Sequence, residues 1–156
     1  LNNSIHNDMD RPVSLKGIDK TEKICEFLKK KKISFDEVLC SPSRRTKETL
    51  DIIIKNLPDK PIVNYLENLY HTSAIDIFET VMLEATEKKV LVVSHQPLLS
   101  NSIDNFFNGI QNKHYFNAIT TYTTSALFNV SFKCENWHHI LKSNAILNFF
   151  IKPSDL

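Results

Sequence analysis

The sequence predicts an α/β protein: a three-layer sandwich around a mostly parallel central sheet. Three observations carry this. Val90-Leu91-Val92-Val93 is a short apolar run rich in β-branched residues, as in a strand buried on both faces inside a parallel sheet. Runs of this kind alternate with longer segments of helical periodicity, so that crossover helices link parallel strands in the right-handed sense. The 156 residues are enough for one domain with a proper core, and 42% hydrophobic and 24% charged residues are ordinary for a globular chain.

Residues 1–10 are polar and read as loop. Arg11-Pro12 is extended, because the residue before a proline is pushed out of the helical region. Ser14 suits an N-cap, and Leu15, Ile18, Ile24, Cys25 and Leu28 recur behind it at helical spacing. That helix closes on the lysines at 29–32, which suit the negative end of its dipole. Residues 35–40 form a short strand with Val38-Leu39-Cys40 buried. Ser41-Pro42-Ser43 turns the chain into a second helix with Thr46, Leu50, Ile53 and Leu57 inward, stopped by Pro58. A strand at 61–66 is centred on Ile62 and Val63. A third helix, capped by Thr72 or Ser73, buries Ile75, Phe78, Val81, Met82 and Ala85. After the strand at 89–93, a fourth helix starts near Pro97 and turns Leu98, Leu99, Ile103 and Phe106 inward, with Asn108-Gly109 as its stop. Beyond a polar connection, 125–132 and 137–141 are strand-like and expected to pair as a hairpin. Residues 145–151 are apolar enough for the core, as strand or helix.

Composition narrows function. A net charge of +1 makes no case for nucleic acid or a membrane surface as partner. Gly17 and Gly109 are the two glycines and stand alone, which excludes Gly-rich phosphate loops. No apolar run approaches the roughly 20 residues of a membrane helix. Cys25, Cys40 and Cys134 are scattered, as expected of reduced thiols in a cytoplasmic protein. Cys134 with His138 and His139 is at most half a metal site, so no metal or other cofactor is expected. No exposed apolar stripe stands out, and a monomer is expected. The chain opens at Leu1, and its first helix has no strand before it, so a strand upstream is expected.

The strand ends carry the chemistry. In open α/β sheets ligands bind outside the carboxyl ends of the strands, and His95 lies at such an end. Arg44 and Arg45 lie in the first turn of the second helix, where a dipole prefers negative charge. A bound anion resolves that conflict, because arginine's planar fork fits phosphate and the helix N-terminus adds backbone donors. Arg45, deeper in the turn, is the better candidate. Arg11, before the first helix, could reach the same rim. Glu67, after the strand at 61–66, is the one carboxylate at a strand end.

The pattern Ser41-Pro42-x-x-Arg45-x-x-x-Thr49, followed by Ser94-His95-Gln96-Pro97, resembles the histidine phosphatase superfamily, with its phosphoglycerate-mutase-like fold. Arg11-Pro12-x-Ser14-x-x-Gly17, the compact length and Thr123-Thr124-Ser125-Ala126 look more specifically like the SixA-type phosphohistidine phosphatases. The resemblance implies that Arg45 holds phosphoryl oxygens, that His95 is a second histidine facing them, and that Arg11 is the additional arginine of the SixA type. It also implies a histidine nucleophile in an Arg-His-Gly or Arg-His-Ala motif ending the first strand. No Arg-His pair occurs in this sequence, and the matching position falls upstream of Leu1. His6 is too close to Arg11 and reads as a loop residue. The expectation is therefore a domain that is N-terminally truncated and inactive as given, with a gap beside the strands ending at Cys40 and Val93. The implied substrate is a phosphohistidine on a phosphorelay protein. Its imidazole leaves more readily than an alkoxide, so a general acid such as Glu67 is less needed. The alternatives are a phosphatase or mutase acting on small phosphate esters, or a non-catalytic remnant.

Overall fold

A computed structural model describes residues 8–70 and 75–156. Helix α1 (Leu15–Lys31) starts where its cap predicts, with the Ser14 hydroxyl accepting from the Gly17 N–H at 3.0 Å. Its buried face is Gly17, Thr21, Ile24, Cys25 and Leu28. Leu15 is 86% exposed, contrary to expectation, because it lies about 200° around the helix from Gly17. A Cβ on Gly17 would meet the Val13 side chain at 2.8 Å, so only glycine lets residue 13 approach this closely.

Strands β1 (Glu37–Cys40), β2 (Ile62–Tyr65) and β3 (Val90–Val93) form a parallel sheet in the order β2-β1-β3. Val38 pairs with Val63 on one side and Leu91 on the other. The crossovers are α2 (Arg44–Lys55) and α3 (Ile77–Glu84), and α4 (Leu98–Phe107) follows β3. Alternate strand residues face opposite layers, as the pleat requires. Val38, Cys40 and Leu91 pack with Cys25, Leu50, Ile52 and Ile53 of α1 and α2. Leu39 packs with Leu69, Ile77 and Val81, with Val90, Val92, Leu98 and Leu99 against them. The expected caps Thr72 and Ser73 lie outside the described residues; Asp76 caps α3, accepting from the Glu79 N–H at 2.9 Å. Glu37, 1% exposed, starts β1 by accepting from the Thr86 and Glu87 N–H groups at 2.8 and 2.9 Å, which pins the turn before β3.

The C-terminal third departs from expectation. Helix α5 (Lys113–Thr121) occupies the supposed polar connection, capped by Asn112, with Tyr115, Ala118, Ile119 and Tyr122 toward the core. The hairpin is β4 (Leu127–Phe132) against β5 (Ala145–Ile151), antiparallel; residues 137–141 are not a strand. Trp137 explains the difference. Its indole donates to the Glu87 carbonyl at 2.6 Å and its ring meets Phe132 edge-on, which ties this segment to the turn before β3. The next apolar run supplies the partner of β4.

Among the described residues β3 pairs only with β1, and β4 only with β5. The strand ending at Cys40 is the middle of its sheet, so the expected gap does not lie beside it; among the described residues β2 and β3 are the two edges, and the β3 edge faces the cavity. Val90, Leu91, Val92 and Val93 line one cavity of about 460 Å³ together with Leu127, Phe128, Asn129 and Val130 of β4. Val90, Val92 and Val93 are therefore half-buried rather than buried on both faces. No helix among the described residues is long and apolar enough to cross a membrane.

Candidate active site

The carboxyl ends of β1 and β3 meet at one point. The Ser41 N–H donates to the Val93 carbonyl at 2.8 Å, which sets the 41–43 turn beside His95. Ser43 caps α2, and the Thr46 hydroxyl donates back to the Ser41 carbonyl at 2.8 Å. Both serines of the turn face the imidazole: His95 Nε2 lies 2.8 Å from Ser41 Oγ and 3.4 Å from Ser43 Oγ. On the far side of the ring, Arg45 Nη2 is 3.1 Å from Nδ1. A guanidinium can only donate, so Nδ1 accepts and Nε2 carries the proton toward Ser41.

Burial, and then the Arg45 charge, push the His95 pKa down from 6.5 to about 4, against a smaller upward pull from Asp8. The folded chain holds the ring neutral while the unfolded chain protonates it near 6.5. Between these values the unfolded state binds more protons, so stability falls as pH drops from about 6.5 to about 4. With solvent screening the loss is about 1–2 kcal/mol. Urea midpoints at pH 7.5 and 4.5 for the wild type and His95→Gln check this. The substituted chain should lack that share of the pH dependence; equal dependence in both rejects a neutral, desolvated His95.

Arg45 also gathers the segment before α1. Its Nη1 donates to the Asp8 backbone carbonyl at 2.8 Å and to Asp8 Oδ1 at 3.3 Å, and its Nη2 to Oδ2 at 3.5 Å. Arg11 Nη2 reaches the same Oδ1 at 2.8 Å, and the Tyr70 hydroxyl donates to Oδ2 at 2.5 Å. The Tyr70 hydrogen bond, ahead of the two arginine charges, holds the Asp8 carboxyl below its ordinary value despite some desolvation. The Tyr70 ring stands edge-on to His95 at 5.3 Å.

Of the residues singled out from sequence, the structure brings Arg45, His95 and Arg11 together, Arg11 through Asp8. Arg44 turns away, its Nε 3.1 Å from Glu48 Oε2. Glu67 is exposed at the start of a short 3-10 turn, outside these contacts. The 123–126 segment lines the same cavity as Arg45 and His95 and also meets α1, with Ser125 Oγ 3.0 Å from Thr21 Oγ1. Sequence reasoning missed Asp8, Tyr70 and the hydroxyls of Ser41 and Ser43. The serines had a signal, since they flank Pro42 at a strand end; Asp8 and Tyr70 had none, being 62 residues apart.

The cavity beside β3 is also lined by Arg45, Thr46, Thr49, Ser94 and His95, so its polar end is this cluster. The parallel α/β sheet with its flanking helices has a fold shared with solved phosphohistidine phosphatase structures. The similarity is to the SixA phosphohistidine phosphatases. The structure of the protein histidine phosphatase SixA complexed with tungstate superposes with a TM-score of 0.73 at 24% identity, covering 95% of this chain and 88% of that one. SixA from Nakamurella multipartitia gives 0.77 at 21% identity, covering 94% and 87%. SixA from Agrobacterium tumefaciens gives 0.76 at 16% identity, covering 94% and 89%. At these identities the likeness defines the fold. No family model and no curated protein sequence matches the chain.

Proposed function

We propose that this site binds a phosphoryl group and that the domain is built for phosphohistidine hydrolysis, on a phosphorelay protein of the cytoplasm. The observation that carries the reading is Arg45. Its guanidinium, carried on the first turn of α2, spans His95 and the two oxygens of the Asp8 carboxylate. Phosphoryl transfer asks a protein mainly for position and for positive charge on the equatorial oxygens. Arg45 and Arg11 supply the charge. His95, neutral, accepts from Arg45 at Nδ1 and directs Nε2–H to Ser41, which holds the Arg45 fork in position at the rim. The tungstate in one similar structure, an oxyanion, supports the same reading.

His95 is not the nucleophile in this scheme, because both its nitrogens are engaged. The attacking group is a histidine at the end of a strand that fills the cavity between β3 and β4. Its ring nitrogen bonds to phosphorus as the substrate's N–P bond breaks, and the departing imidazole takes a proton from solvent. Water then attacks the enzyme phosphohistidine and releases inorganic phosphate.

The test is phosphate release from a phosphohistidine peptide. Residues 1–156 alone should be inactive; the same chain preceded by an apolar strand ending in Arg-His-Gly should turn over. Small phosphate esters should be poor substrates of the extended chain. Wild-type rates from residues 1–156 alone would sink the proposed nucleophile, and equal rates on esters would sink the protein substrate.

A further inference from the structure

Two arginines and a tyrosine already hold an anion, and it belongs to the chain. Asp8 Oδ1 receives Arg11 at 2.8 Å and Arg45 at 3.3 Å, and Oδ2 receives Tyr70 at 2.5 Å and Arg45 at 3.5 Å. Each carboxylate oxygen thus has donors from separate segments, the arrangement that suits two oxygens of a phosphoryl group. The occupant is not locked in. The Asp8 side chain keeps 36% of its surface exposed, and it sits in helical backbone at residues 8–9, just before Arg11-Pro12 and outside the sheet. Arg45 has a separate anchor, the Asp8 backbone carbonyl at 2.8 Å, as well as His95. Loss of the carboxylate therefore leaves its fork in place.

We infer that Asp8 is a built-in counter-ion occupying the phosphoryl subsite, which an incoming phosphoryl group displaces, and that it makes the site selective for phosphoryl dianions over carboxylates. The inference rests on the phosphoryl reading above. A carboxylate ligand offers the arginines nothing that Asp8 does not, and Asp8 is tethered, so it wins by effective concentration. A phosphoryl dianion brings a second negative charge and a third oxygen, and it exchanges with Asp8 at a gain. Neutral ligands are excluded for the same reason.

Calorimetric titration with inorganic phosphate and with acetate, at pH 7.5 and fixed ionic strength, tests this on the wild type, Asp8→Asn, Asp8→Ala and Arg45→Ala. Asp8→Asn should bind phosphate at least tenfold more tightly than the wild type and should gain measurable acetate binding. Asp8→Ala should do the same if the asparagine chain fails to fold, and circular dichroism decides which variant is read. Arg45→Ala should lose phosphate binding. Unchanged or weaker phosphate binding in the folded Asp8 variant, with Arg45 still required, overturns the counter-ion and makes Asp8 a positioning residue. Phosphate silence in the wild type and both Asp8 variants overturns the phosphoryl reading itself.

Discussion

Replacing Arg45 by alanine in a strand-extended, active chain is expected to lower turnover of a phosphohistidine peptide by about 10²–10³-fold, the cost of losing one directed donor to developing charge. The reason is geometric. Arg45 lies in the first turn of α2, where backbone donors already favour an anion, and its fork touches both Asp8 and His95 Nδ1. Alanine removes the charge and also the donor that fixes the His95 tautomer. Lysine restores only a point charge, which cannot bridge an anion and a ring nitrogen together, so Arg45→Lys should recover a minor part of the rate. Single-turnover phosphate release on the three chains measures this. Arg45→Ala within threefold of its parent would remove Arg45 from the reaction.

The largest effect on stability is expected at Phe107. It is fully buried, and its ring meets Phe106, Phe78 and Phe128 at 4.9, 5.5 and 5.9 Å. These contacts join α4 and α3 to β4. They carry unusual weight because the β4-β5 pair shares no hydrogen-bonded edge with the parallel sheet among the described residues. Phe107→Ala should cost about 3–5 kcal/mol, the transfer energy of the ring plus the cavity it leaves. Phe116 sits on α5 at 61% exposure, and Phe116→Ala should stay within about 0.5 kcal/mol of the wild type. Urea unfolding of both variants checks the pair; a loss below 1 kcal/mol at Phe107 would show that the aromatic cluster does not hold the two sheets together.

Local signals were legible where one segment decides its own structure. Ser14 and Ser43 cap α1 and α2 because a side chain a few residues away satisfies the first N–H groups. That His95 and Arg45 share one rim was legible because a strand end and a helix start place them without reference to the rest of the chain. Signals went unread in α5, where Asn112 and the spacing of Tyr115, Ala118, Ile119 and Tyr122 spell an amphipathic helix within a polar stretch. The pairing of β4 was not legible at all. Two apolar runs follow it, and the choice is made by Trp137, whose indole bonds to a carbonyl 50 residues earlier in the chain.

What this sequence determines by itself is the periodicity of its helices and strands, the α/β order and the residues at the strand ends, because each depends on near neighbours along the chain. The tertiary structure decides which strand is central, which edges stay open and what meets Arg45. Those depend on contacts between distant segments. Asp8 and Tyr70 reach one carboxylate contact across 62 residues, and the open edge of β3 exists only in relation to β4. Sequence placed an arginine and a histidine at one rim; the fold put an aspartate between the arginines and a slot beside the histidine.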